Sequence, residues 1–200
     1  MPSWSTHKRV YRLLEADYWV FGEDMVESID RTIDEKHGHD VGRRSLRELL
    51  RALFVEYGDI LWRDEWLKTT KDERRKFMSQ NADAALLYGP LWIPRAGYVP
   101  RSEVMLHVPD EALVLGLLHH FLDLCMEYVK DNDATSWSTV ASYARARMAH
   151  QFMDPIVYEV KVATRERLDE VFERLLKVLD KYGDEVLNML VEEKLKKRGS

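Results

Sequence analysis

Seven histidines punctuate the chain, at His7, His37, His39, His107, His119, His120 and His150. Several have a companion at a spacing that permits chemistry. His39 is followed directly by Asp40 in "KHGHDVGRR", and His119 stands four residues before Asp123 in "LLHHFLD". His150 and Asp154 repeat that spacing, and residues four apart on a helix share a face. Neutral imidazoles mixed with carboxylates suit Mn, Fe, Ni, Co or Zn, whereas an all-oxygen set suits Mg or Ca. An ion held this way lowers the pKa of bound water and polarises a phosphoryl oxygen. His119 and His120 fall in the most apolar stretch, where a polar group without a partner costs roughly 1–3 kcal/mol. A metal or a carboxylate would supply that partner. The candidate ligands of a divalent transition metal are therefore His7, His39, Asp40, His119, His120 and Asp123. The competing reading is a set of structural histidines, each satisfied within the core.

Arg43 and Arg44 follow the His39-Asp40 pair. The guanidinium fork matches phosphate oxygens, so Asp40, Arg43 and Arg44 form a candidate catalytic group in which an arginine steadies a substrate phosphate. Arg44, Arg47 and Arg51 also share a helix face, which Glu48 and Glu56 can balance as an ordinary solvated surface. "RARMAH", from Arg145 to His150, resembles the Arg-x4-His pattern of the HEPN ribonucleases, and that resemblance implies a third chemistry, an Arg and a His acting on RNA without metal.

The elements that must position these residues are helical. Apolar residues recur at helical spacing over 6–21 and 25–33. Ser45 and Glu48 make a capping box, which starts a helix running from Leu46 to about Leu61. A further helix is expected over 72–87. Residues 88–103, "YGPLWIPRAGYVPRSE", hold three of the six prolines and read as a loop. Residues 110–130 are apolar all round, the pattern of a buried central helix. Another helix spans 136–153, and "IVYEVKVAT" is the place for a short strand. Helices over 165–182 and 184–197 flank Gly183. Their stripe of Leu168, Val171, Phe172, Leu175, Leu176 and Leu179 suits burial in the monomer or the seam of a homodimer. The expectation is an all-α single domain over 1–200 with about eight helices and at most one short strand pair. Its metal-binding core would lie in 6–155, with a C-terminal helical hairpin over 165–197.

Composition narrows the class. At 46% hydrophobic the chain can bury a core unaided. A net charge of −5 argues against a surface built for wrapping nucleic acid. The lone Cys125 excludes an internal disulfide and fits a reducing compartment. With no signal-like start and no run of the roughly 18 apolar residues a membrane helix needs, a cytoplasmic protein without membrane contact is expected. Few amides and 32% charged residues suit a thermophile.

The order His7, "HDVGR" from His39 to Arg43, then "LLHHFLD" from Leu117 to Asp123, resembles the HD superfamily of metal-dependent phosphohydrolases. The nuclease branch found in CRISPR systems has a similar HD-x-G-K/R stretch, a later His-His pair and one further His, where His107 falls. The resemblance spans residues 6 to about 130. It implies a metal-dependent hydrolase acting on a nucleotide or nucleic-acid phosphoester, with His7, His39, Asp40 and Asp123 as primary ligands. His119 and His120 would then serve a second ion or the substrate phosphate. In that family the His-Asp pair ends an apolar helix, whereas "DEKHG" is polar. Trp4, His7 and the His119/Asp123 and His150/Asp154 pairs also resemble the zinc-dependent phospholipase C and single-strand nuclease group. Arg145 and His150 have the spacing of the HEPN ribonucleases. A non-catalytic helical nucleic-acid-binding or assembly protein is the alternative of a different class.

Overall fold

The computed structural model describes residues 3–15, 23–37, 46–133, 136–159 and 165–198. Among these residues ten α-helices and five short strands follow in the order α1 (Trp4–Glu15), α2 (Glu23–His37), α3 (Leu46–Tyr57), β1 (Asp59–Trp62), β2 (Glu65–Leu67), α4 (Lys71–Gln80), α5 (Asp83–Tyr88), β3 (Leu91–Ile93), β4 (Gly97–Val99), β5 (Val104–His107), α6 (Asp110–Asp131), α7 (Trp137–Phe152), α8 (Pro155–Glu159), α9 (Arg165–Lys181) and α10 (Gly183–Arg198). The domain is mostly helical, as the periodicity requires.

Helix α6 is the axis. Pro109 precedes it, and Asp110 and Glu111 place negative charge at its amide end. From Ala112 to Met126 every residue is buried. Helices α2, α3, α7, α9 and α10 all pack against it. Its length and its mean hydropathy of 1.4 would let it cross a membrane, but 89% of that apolar window is covered by the protein itself. Burial on all sides is the signature of a core helix.

The β structure exceeds the single strand pair expected. Arg63 and Asp64, with φ of 50° and 62°, form the two-residue turn of the β1–β2 hairpin; left-handed backbone at both positions matches the twist of the flanking strands. β5 pairs antiparallel on the other edge of β1. The helix that begins at Leu46 therefore stops at Tyr57, and Trp62 and Trp66 sit on a sheet rather than a helix face. The proline-rich segment contains the β3–β4 hairpin, with Leu91 opposite Val99 and Ile93 opposite Gly97. Buried Asn81 clamps it, accepting from the Trp92 amide at 2.8 Å and donating to the Trp92 carbonyl at 2.9 Å. Arg95 and Gly97 take positive φ at its turn. Pattern counting sees prolines here and misses the remote amide that satisfies the strand. "IVYEVKVAT" starts as helix α8 rather than as a strand, because it continues from Asp154, whose carboxylate accepts the Ile156 amide. Its residues 160–164 lie outside the described residues.

Helices α9 and α10 form the expected hairpin, and the stripe from Leu168 to Leu179 is buried. Gly183 begins α10 beneath the Trp137 indole. A Cβ there would stand 2.1 Å from Trp137 Cδ1. The indole cannot yield freely, since its Nε1 donates to Asp180 at 3.1 Å. At the first residue of a helix the propensity gained by alanine is small, so overpacking decides the sign. Gly183→Ala should destabilise by about 1–3 kcal/mol, measured as a lowered denaturant midpoint.

His120 ties three helices together. Its Nε2 donates to Gln151 Oε1 at 2.8 Å, and the same oxygen accepts the Leu46 amide at 2.9 Å. Gln151 thus caps α3 from α7 while satisfying α6. Burial lowers the His120 pKa from 6.5 to about 4, with the Gln151 bond opposing the shift. Between those values the unfolded chain binds a proton that the folded chain refuses. The stability is complete above about 6.5 and is lost as pH falls toward about 4. His120→Gln keeps a donor but removes the titration. Denaturation at pH 7 and pH 5 should show the natural chain losing on the order of 1–2 kcal/mol more than this variant.

Candidate metal centre

Three helices turn polar groups toward one point. On α1 the inward stripe is His7, Val10, Tyr11 and Leu14, all buried. On α2 it is Val26, Ile29, Asp30, Ile33 and Asp34, again all buried. Helix α6 contributes His119 and Asp123, one turn apart. The two histidines and three carboxylates are each 7% exposed or less.

The distances are those of a connected cluster. His119 Nδ1 donates to Asp30 Oδ1 at 2.9 Å. Tyr11 donates its hydroxyl to the same oxygen at 2.9 Å. On the other edge of the ring, His119 Nε2 lies 3.5 Å from Asp123 Oδ2 and 3.6 Å from Asp34 Oδ1. The Trp4 indole donates to Asp34 Oδ2. The His7 and His119 rings stack tilted, centroids 4.2 Å apart, and His7 Nδ1 lies 3.8 Å from Asp30 Oδ1. One ligand atom from each of His7, His119 and Asp123 falls within 4.8 Å of the others, so these three can hold a metal ion.

The cluster is not closed by its own hydrogen bonds. Both ring nitrogens of His7, Nε2 of His119 and Oδ2 of Asp30 are buried and make none among the described residues. Buried polar atoms are normally paired. The charges are also unbalanced. Burial and the neighbouring His119 charge push the His7 pKa well down, so His7 is neutral. Burial alone would lower His119 too, but the Asp30 hydrogen bond and the charges of Asp123, Asp30 and Asp34 outweigh it and raise its pKa. Burial and Asp30 drive the Tyr11 hydroxyl well up, which keeps it a donor. His119 stands among three buried acidic side chains, Asp30, Asp34 and Asp123, and an uncompensated buried charge costs several kcal/mol.

Of the residues singled out from sequence, His7, His119 and Asp123 come together. His120 does not join them. It is on the next position around α6, and its Nε2 bonds Gln151 Oε1 at 2.8 Å. His39, Asp40, Arg43 and Arg44 lie outside the described residues, as does Ser45 of the capping box. Arg47 and Arg51 both bind Asp83, and Arg47 also reaches Asp154 at 3.6 Å. His107 ends β5 with its ring edge-on to Trp66. His150 is exposed, and its companion Asp154 is held by Arg47 and the Ile156 amide, so this pair stands apart from the buried cluster. Arg145 is bound to Asp180.

Asp30 and Asp34 stand outside the ligand set that the sequence suggests, yet their signal is visible there. They fall at the fourth and eighth positions after Val26, on the face that Ile29 and Ile33 mark as core. An aspartate on a core face needs a partner as much as a histidine does. Comparison of the chain with protein-family models, with curated proteins and with solved structures found no match.

Proposed function

We propose that the protein is a metal-dependent phosphohydrolase or nuclease that cleaves phosphoester bonds, with a divalent transition metal (Mn, Ni, Co, Fe or Zn) held by the buried cluster. The observation that carries this reading is His7, a fully buried imidazole with no hydrogen-bond partner on either nitrogen among the described residues, set among carboxylates. A mixed imidazole–carboxylate set is the borderline donor type that such ions prefer, and helical bundles build their metal sites from facing helices in this way. When bound, the ion supplies Lewis acidity and an activated water.

The chain's own residues hold and orient. His7, His119 and Asp123 offer the ligand atoms, and the apolar body of α6 keeps them dry. Tyr11 forms the outer wall. Beyond it lies a cleft of about 180 Å³, lined by Lys8, Tyr11, Arg12, Glu15 and Val26. Lys8, which pairs with Glu27, and Arg12 stand beside Glu15 in this cleft, where a phosphate-bearing substrate would compete for the two cations. The resemblance to the HD superfamily adds His39 and Asp40 as ligands and Arg43 or Arg44 at the phosphate.

A second reading has its own observation: the cluster is shut, with Asp34 at 7% the most exposed of its five members. Structural metal sites are closed, whereas catalytic ones keep a position open. In that reading the chain is a helical nucleic-acid-binding or assembly protein whose polar cluster serves the fold.

Metal content and turnover separate the two. Purified protein is expected to carry about one equivalent of transition metal or more. It should hydrolyse a generic phosphodiester with added Mn or Ni. Chelator should abolish that activity, and Asp123→Asn or Asp40→Ala should lower it by orders of magnitude. Metal without turnover under any of these ions would favour the closed structural site. Turnover that survives chelation but is lost in His150→Ala would move the chemistry to Arg145 and His150.

Added metal should also raise the melting temperature of the natural chain, because a ligand bound only by the folded state stabilises it. If Asp40 is a ligand, Asp40→Ala removes most of that rise. A full rise in Asp40→Ala would show that His39 and Asp40 form a polar turn outside the metal site.

A further inference from the structure

We propose that the Tyr11 side chain is the gate of the metal centre. It turns out of its bond to Asp30 into the cleft beside Lys8 and Arg12, and by that path an ion, water and a phosphate-sized group reach His7, His119 and Asp123. This rests on the metal-binding reading above and goes beyond it by giving the buried cluster an entrance.

The cluster needs one. A catalytic ion on three protein ligands keeps a further position for water or substrate. Yet His7, His119 and Asp123 are each 2% exposed or less, so a side chain must move before anything arrives. Two aromatic residues of α1 stand on the helix face of His7, Trp4 one turn before it and Tyr11 one turn after. Both are latched to α2. The Trp4 indole donates to Asp34, and the Tyr11 hydroxyl donates to Asp30 Oδ1 at 2.9 Å.

Space decides between them. Tyr11 belongs to the cluster and to the cleft at once: its hydroxyl is bonded to Asp30, its ring centroid lies 6.3 Å from that of His7, and it lines the cleft of about 180 Å³. The ring therefore has somewhere to go. Lys8, Arg12 and Glu15, which line the same cleft, are long side chains, exposed or half-buried, and can yield to it. The cleft is smaller than the roughly 300–1,000 Å³ of a small-molecule site. That is room for a turning ring or a phosphate group, with the rest of a substrate left outside. What holds the gate shut is the bond to Asp30, whose other partner on the same oxygen is His119 at 2.9 Å. Tyr11 can leave while the cluster keeps its shape.

Stopped-flow kinetics of Co²⁺ test this, with uptake by the chelator-stripped full-length protein and release from the loaded protein into excess chelator. A loosened gate lowers the barrier in both directions, so entry and exit speed up together and affinity stays. A weakened ligand speeds exit alone. Tyr11→Phe, which keeps the ring and removes the latch, should speed both by about 10-fold, the equivalent of one hydrogen bond to a charged group. Val26→Phe, which fills the cleft from α2, should slow both. Faster release with weaker binding in Tyr11→Phe would overturn the gate and make Tyr11 a support of the ligands. An equal gain in Leu14→Ala, which loosens the buried face of α1 away from the cleft, would overturn it in favour of helix opening. A gain in Trp4→Phe with none in Tyr11→Phe would overturn it in favour of the Asp34 side. If Tyr11→Phe does not fold, as judged by circular dichroism, unchanged rates in Val26→Phe overturn the gate by themselves. Failure of the natural chain to take up Co²⁺ would overturn the metal-binding reading and the gate together.

Discussion

A helix buried on every side gives its polar residues no access to water, and α6 carries three of them in five positions: His119, His120 and Asp123. Each must find its partner on a neighbouring helix. That requirement sets which helices may surround α6 and in what rotation. His120 fixes α7 through Gln151, and the same amide oxygen fixes the start of α3. His119 and Asp123 fix α1 and α2, whose inward stripes are apolar except where they pass this point. Apolar packing would tolerate sliding along α6. Polar matching does not, because a shifted aspartate would face hydrocarbon.

The two ends of this polar stretch behave differently. At His120 the Nε2 proton is matched to Gln151 Oε1 while Nδ1 makes no hydrogen bond among the described residues, and burial keeps the imidazole neutral. Around His119 carboxylates outnumber donors, and Tyr11 and Trp4 are recruited from α1 to supply two. A network that existed only to hold helices together would gain nothing by adding an unpartnered His7 or a third carboxylate. Replacing such a network with hydrocarbon is often neutral or stabilising. The excess of negative charge and lone pairs is what a cation would balance.

The helical frame was legible because its signals are local. The all-round apolar run of α6, the stripe of α9 and the break at Gly183 each follow from spacing within one element. The small sheets were not legible. β3 and β4 depend on Asn81, which caps the end of α4, well before Leu91 opens the hairpin. No pattern within the strands themselves points back to that amide. The site was half legible. Histidine shows its chemistry in its type, so His7 and His119, with Asp123 one turn on, are legible as candidates, and so is His120, which differs from His119 in its rotation about α6. Asp30 and Asp34 were missed because aspartates are common on helices and only their register with Ile29 and Ile33 marks them as buried.

The C-terminal hairpin, which no motif explains, acquires a role from this geometry. Helix α10 packs on both α6 and α1. Thr6, beside His7, donates to Glu193 at 2.5 Å, and Ser3 donates to the same oxygen at 3.3 Å. Arg9 pairs with Glu192 at the surface. Glu193 is itself 6% exposed and held by Lys197 at 2.5 Å. Helix α1 has only twelve residues, a length at which an isolated helix is marginal in water. It therefore depends on tertiary contacts to exist and to present His7. Those contacts come from α2 on one side and from α10 on the other. The last helix of the chain thus completes a site whose polar atoms all belong to the first two helices and α6, by holding the first helix in the register that brings His7 against His119.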